Sequence, residues 1–337
     1  MKYITFTIPC YNSENYMRRC VDSLLVGGED VEILIIDDGS SDRTGAIADE
    51  YEMLYPNIVK AVHKPNGGHG SGVNKGLELA HGLYYKVVDS DDWFDRDAYL
   101  KMLDKIKSFE VAQFPDLIIC NYVYDHLDEG IQKPMNYRNV FPTEKMCNWN
   151  TIGHFHPSQY LIMHALMFQT KVLRQSGVKL PEHTFYVDNL FSYQPLPYAK
   201  NLYYMDIDLY HYYLGREDQS VNEKVLMKRI DQQIRVTKLM LGYYDVTKIQ
   251  NRKLRHYMVR YLEIMMVICS ILAIKSGSEE NMEKKKALWE ELKKSNPALS
   301  LRLRWGFLGQ GMNLPGKGGR SLSIAGYKIA QKFFGFN

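Results

Sequence analysis

The chain has 337 residues, 45% of them hydrophobic and 24% charged, which is ordinary globular composition for one large α/β domain plus an appendage. Five cysteines, scattered and without a C-x-x-C pair, exclude a disulfide framework or a zinc site and point to a reducing compartment. The net charge of +3 conceals an asymmetry: from Asn296 to Asn337 there are six basic residues and no Asp or Glu, so by difference the remainder carries −3.

Short apolar runs bounded by turn residues alternate with segments of helical period, which predicts βαβ units around a mostly parallel sheet. In chain order, strands are expected over Tyr3 to Pro9, Val31 to Asp37, Ile58 to Lys64, Tyr84 to Asp89 and Asp116 to Tyr124, all rich in β-branched and aromatic residues. The intervening helices are expected over Glu14 to Leu25, Arg43 to Tyr55, Ser71 to His81 and Asp97 to Phe109, with Ser13, Asp42 and Asp95 as start signals. From about Met146 to Tyr213 the pattern turns irregular and rich in His, Tyr and Pro, which suits loops forming a second half-site. After Val221 it becomes helical through Lys294, including one long apolar-faced helix, and a basic, glycine-loosened tail follows. The expected division is an α/β domain over 1–220, in halves over 1–110 and 111–220, a helical region over 221–295 and a tail over 296–337. The N-terminus lacks the features of a secretory signal, and the apolar stretch from Ile264 to Ile274 is about half of the ~20 residues of a membrane span. A cytoplasmic protein is expected. Basic residues interleaved with apolar and aromatic ones in the tail suit peripheral contact with the anionic inner face of the plasma membrane, and no nucleic-acid-binding module accompanies them.

Four consecutive strand ends carry the suggestive residues. The first gives Pro9, Tyr11 and Asn12, the second Asp37, Asp38 and Gly39, the third Asn66, Gly67 and Gly68, and the fourth Asp89-Ser90-Asp91-Asp92. In an open α/β sheet, ligands bind outside the carboxyl ends of the strands. Three carboxylates on four residues raise one another's pKa unless a cation sits among them, so a hard divalent ion with oxygen ligands is expected there, together with a diphosphate to fill its remaining positions. A ring at Tyr11 can stack on a base, Asp38 can accept hydrogen bonds from a base or ribose, and the glycines let backbone approach a ligand. A dinucleotide-dependent dehydrogenase is disfavoured because P-C-Y-N-S-E-N replaces G-x-G-x-x-G after the first strand. A nucleotidylyltransferase would need a Gly-rich basic loop at that same point.

In this order the motifs, TIPCYN, IIDDGSSD, PNGG and VVDSDDW, resemble the nucleotide-sugar-binding half of the family 2 glycosyltransferases, which have the GT-A fold and here would carry a C-terminal helical region. The resemblance implies that Pro9, Tyr11 and Asp38 hold the base and ribose with Asp89 assisting, that Asn12, Gly39, Asn66, Gly67, Gly68, Asn74 and Ser90 line the donor site, and that Asp91 ligates Mn²⁺ or Mg²⁺ on a nucleotide-diphosphate sugar, most simply a UDP-sugar. Val73 stands where an Arg is common in this family. Asp188 falls at the position of the base in inverting members, although Val187 replaces the preceding Glu. It would deprotonate a hydroxyl of a saccharide or lipid-linked saccharide acceptor in cell-surface polysaccharide synthesis. His211 is a candidate third metal or diphosphate contact, and Arg216 and Ser220 resemble residues of a late loop over the phosphates. His154, His156 and His164 flank a segment expected near the acceptor. Val73 and Val187 keep open a degenerate nucleotide-sugar-binding protein of the same fold.

Overall fold

The computed structural model describes all residues except 128, 158, 216–221, 315 and 335–337. The residues Arg216 and Ser220 therefore lie outside the described part. The chain divides into two compact units: residues 1–155 with 161–215, and residues 156–160 with 216–337.

The first unit begins with four strands, β1 (Ile4–Cys10), β2 (Val31–Asp37), β3 (Val59–His63) and β4 (Tyr84–Val87), joined by helices α1 (Met17–Leu25), α2 (Thr44–Leu54) and α3 (His69–Leu79). The runs ITFTIPC and VEILIID are almost continuously apolar because parallel strands with helices on both faces have no solvent side. β1 pairs in parallel with both β2 and β4, so the chain reverses its direction of travel across the sheet at β1. That reversal opens a crevice at the carboxyl ends of β1 and β4. α3 lies flush on β1 because Gly76 faces Thr7, whose side-chain atoms would be 2.2 Å from any Cβ placed there.

The sheet continues through β5 (Trp93–Phe94), α4 (Arg96–Ser108), β6 (Leu117–His126), β7 (Ile131–Met135), β8 (Met146–Cys147), β9 (Leu166–Gln169), α5 (Thr170–Ser176), α6 (Asp188–Tyr193) and β10 (Leu202–Tyr213). Its order is β3-β2-β1-β4-β9-β6-β10-β5, with β7 beside β6 and β8 beside β10. β9 is antiparallel to both β4 and β6, so the sheet is mixed where mostly parallel pairing was expected. The region anticipated as loops up to Tyr213 contains β9 and the twelve-residue β10, which pairs in parallel with β6 across two bulges. Asp95 caps α4 as expected, its side chain accepting from the Ala98 N–H at 2.8 Å. Ser13 does not cap α1; its hydroxyl is 2.8 Å from that of Ser90.

The second unit is helical: α7 (Glu223–Lys228), α8 (Ile230–Tyr243), α9 (Arg252–Ser276), α10 (Glu279–Ser295), α11 (Pro297–Trp305), α12 (Phe307–Met312) and α13 (Gly316–Phe334). The 25-residue α9 is its axis, with Met258, Leu262, Met265, Met266, Cys269 and Leu272 all buried. By length and composition α9 could cross a membrane, but most of that stretch is covered within this unit. The tail is not loosened by its glycines. α11 to α13 continue the helical fold, and Ile324 and Tyr327 of α13 pack on Ile271, Ile274 and Met312.

Candidate active site

The loops after β1 to β4 meet at one edge and are tied to one another. Asn12, at φ 49°, accepts from the Ser41 N–H at 2.9 Å and donates its own N–H to the Ser40 hydroxyl at 3.0 Å, which joins the first strand end to the second. Tyr11 stands exposed beside them. Pro9 does not: it is buried within β1 under Gly72 of α3 and presents no surface to a base, because a strand covered on both faces hides every side chain. Asp38 also departs from expectation. Its side chain is buried, ion-paired to Lys64, and accepts from the N–H groups of Gly67 at 3.0 Å and Gly68 at 2.7 Å, so it organises the Gly-rich loop. Asn66 donates to the Asp38 carbonyl at 2.9 Å, and Gly39, at φ 73°, leaves room for the Asn66 backbone. Gly68 has φ 82° and sits where a Cβ would be 3.2 Å from the His183 nitrogen, a conformation and spacing that favour glycine. The Gly67 carbonyl accepts from the His183 N–H at 2.7 Å, linking this loop to the segment before α6. Asn74 exchanges both of its amide bonds with the Leu180 backbone, at 2.8 and 2.9 Å, and so anchors that same segment.

The tetrad is resolved unequally. Nε2 of His69 is 2.9 Å from Oδ1 of Asp89. Burial pushes the Asp89 carboxyl up, but the charge and hydrogen bond of His69, helped by Lys86, outweigh it and hold Asp89 below the usual carboxylate range. Asp92 goes the other way: burial and then the charges of Asp91 and Asp89 raise it well above that range. Its oxygens accept from the Tyr210 hydroxyl and from the Tyr213 N–H, while the Tyr210 oxygen accepts from the Asp89 N–H at 3.1 Å. Ser90 is held by Ser13, and the Asp91 carbonyl accepts from Arg19 at 3.1 Å, whose guanidinium lies 3.6 Å over the Trp93 ring.

Beneath the tetrad sits a buried ammonium. Lys86, 1% exposed, donates to the carbonyls of His164 and Leu166 at 2.7 and 3.1 Å, and burial pulls its pKa down to about 8. His164, 8% exposed and stacked 4.6 Å from Tyr210, is pulled down to about 4 by burial and so is a neutral imidazole. Among the described residues, ligand atoms of Asp89, Asp92 and His164 come within 4.8 Å of one another. Nδ1 of His164 is buried with no hydrogen-bond partner, an orphan that a cation or ligand would satisfy. Carboxylate oxygens with one neutral imidazole fit a divalent cation such as Mn²⁺. Asp91 borders this group, since its charge acts on Asp92.

His211 does not join the group. Neighbours along a strand point to opposite sides, so while Tyr210 and Tyr212 turn to His164, His211 pairs with Asp125 at 2.9 Å and stacks on Trp93. Asp188 opens α6 as its first helical residue. α6 has only six residues, and burial, against the pull of His69, raises Asp188 to about 6. His69 feels both carboxylates. Burial lowers its pKa, but Asp89 first, then Asp188 and Asp91, raise it above the ordinary histidine value.

Sequence reasoning missed the parts played by Asp92, Tyr210, Lys86 and His164. One signal was available, a lysine in the middle of the otherwise apolar run YYKVV; the other contacts span 78 to 121 residues of sequence.

Residues 5–167 match the profile described as glycosyl transferase family 2. Among curated proteins, EpsH of Bacillus subtilis, a glycosyltransferase by its assigned name, is 29% identical over 62% of this chain and 60% of its own length. The poly(ribitol-phosphate) beta-glucosyltransferase of Bacillus spizizenii is 27% identical over 64% of this chain and 32% of its own. The chain thus spans less than two thirds of these relatives. Among solved structures, S. aureus TarS 1–349 in complex with UDP-GlcNAc superposes with a TM-score of 0.53 at 15% identity, covering 88% of this chain and 92% of that one. Mannosyltransferase PcManGT from Pyrobaculum calidifontis, in complex with GDP-Man and Mn²⁺, gives 0.53 at 13% identity over 96% and 85%. The strand-end motifs of the first four strands all fall inside residues 5–167, so that part of the chain is a glycosyl transferase family 2 domain, carried on a mixed sheet of the GT-A type.

Proposed function

We propose that the first unit transfers a sugar from a nucleotide-diphosphate sugar, a UDP-sugar, to a hydroxyl of a saccharide or lipid-linked saccharide in cell-surface polysaccharide synthesis, with inversion. The observation that carries this reading is Asp188: a half-buried carboxyl raised to about 6, following a segment anchored to the Gly-rich loop and linked electrostatically through His69 to Asp89. A general base works best when its pKa lies near the working pH. Asp188 takes the proton of the acceptor hydroxyl as that oxygen bonds to the anomeric carbon. The bond from that carbon to the diphosphate breaks on the opposite face, and the nucleoside diphosphate leaves with the bonding electrons. Asp89, Asp92 and His164, with Asp91 bordering them, would hold a divalent cation, which would neutralise charge on that leaving group. His69 keeps Asp89 ionised beside it. The UDP assignment draws its support from TarS, which was crystallised with UDP-GlcNAc. The polysaccharide context draws on the poly(ribitol-phosphate) glucosyltransferase.

Titration calorimetry with UDP, GDP, CDP and dTDP, with and without Mn²⁺, on the parent and on Asp91→Ala, tests the donor site. Metal-dependent UDP binding that disappears in the variant is the expected result. No binding, or binding indifferent to both metal and variant, overturns the reading in favour of a fold that has lost its donor site.

A further inference from the structure

α11 is two-faced in an unusual sense. Leu299, Ser300 and Leu303 are buried, while Leu301 is 61% and Trp305 65% exposed. Positions 301, 304 and 305 share one face at helical spacing, so the outward stripe reads Leu, Arg, Trp, with the exposed Arg302 beside it. Large apolar groups set among arginines do not contribute to the core, which α9 and its neighbours already close. The tail's own charge has one sign, although Glu263 of α9 accepts from the Leu308 N–H just past α11. No acidic residue occurs from 296 to 337, and Arg320 and Lys328 of α13 are exposed as well. Arg304 and Arg320, from different helices, both act electrostatically on Lys285, whose pKa is lowered first by burial and then by these two charges. They therefore form one positive patch.

We propose that the outer face of α11, with the basic groups of α13, docks this protein onto an anionic lipid surface as a peripheral contact. An indole and a leucine beside arginines match the level of the headgroups, where the rings enter the acyl boundary and the guanidinium groups meet phosphate. A phosphate-bearing nucleic acid would take the arginines but has no use for the exposed Leu301. Spanning is not required, because the apolar length of α9 is covered inside the second unit. The inference is independent of the transferase reading, since it concerns adhesion and not turnover.

The test is sedimentation of the full chain with phosphatidylcholine vesicles lacking or containing phosphatidylglycerol, across a salt series, for the parent, Arg302→Ser with Arg304→Ser, and Leu301→Ala with Trp305→Ala. The parent is expected to bind only the anionic vesicles and to be released by salt. Removing the arginines weakens partitioning about fivefold for each, and removing Leu301 and Trp305 weakens it further. Thermal melts that coincide with the parent's show that both variants are folded. Equal binding to neutral vesicles, or anionic binding that survives both variants, overturns the proposal. Displacement of bound protein from the vesicles by a short duplex DNA, with no dependence on Leu301 and Trp305, overturns it in favour of a nucleic-acid surface.

Discussion

The two units treat charge in opposite ways. The first takes it inside: Asp37, Asp38, Lys86, Asp92, Asp125 and His164 are all buried. In the second, the buried polar side chains among the described residues are Gln233, Thr237, Ser270, Ser300 and Ser323, and none of them is ionisable. Isolated buried charge is costly, so a fold that needs only stability keeps it out, as the second unit does. Where buried and half-buried ionisable groups gather, with Asp89 lowered and Asp92 and Asp188 raised, the arrangement marks a site and not a core.

That contrast can be broken or sharpened by substitution. The largest effect is expected at Asp188→Asn, which should cut transfer by roughly 10²- to 10⁴-fold while nucleotide binding persists; unimpaired turnover in a coupled assay would sink the assignment. A base raised to about 6 must be ionised to work, so kcat/KM of the parent should fall as pH drops through about 6, about tenfold for each further unit, and the variant should lack this limb. The linkage to stability has the opposite sense. A carboxyl whose folded pKa is raised favours the fold below its unfolded value, and that contribution is lost as pH rises through about 6. Lys86→Met comes next. It removes the donor to two carbonyls and a counter-charge to Asp89, and should lower unfolding free energy by about 3 kcal/mol, read as a shift in the denaturant midpoint. Gly76→Ala forces α3 away from Thr7 and should lose about 2 kcal/mol, with a neutral result showing that α3 can withdraw freely. Smallest of all, Leu301→Ala with Trp305→Ala should stay within about 0.5 kcal/mol of the parent, because both side chains are exposed. A larger loss would mean that this face is covered.

The parallel part of the fold was legible because its strands are continuous apolar runs with turn residues at regular intervals: β1 to β4 and their helices lie within a few residues of expectation. β10 was not legible. LYYMDIDLYHYY mixes acids and aromatics, has bulges on either side of Asp208, and owes its strand conformation to β6, about eighty residues earlier. The site divides in the same manner. Tyr11, Asn12, Asp89 and Asp91 could be named because they sit at strand ends in sequence. Asp38 could be named but not its role, since nothing local says that the N–H groups of Gly67 and Gly68 will turn onto it. His164 reaches Asp89 and Asp92 only because β9 inserts antiparallel beside β4, a pairing that periodicity does not encode. His211 was misjudged for want of the strand register, which decides to which side each residue points.

The cover over α9 has a consequence for biosynthesis. A ribosome completes α9 while α10 to α13 are still unmade, and at that moment only α7 and α8 of this unit are there to cover a long, largely apolar helix. Chaperones and insertion machinery that bind such segments compete with the chain's own later helices for the same surface. A chain cut after Ser276 would keep the helix and lose the competitor, so the last sixty or so residues act on the fate of a segment finished before them.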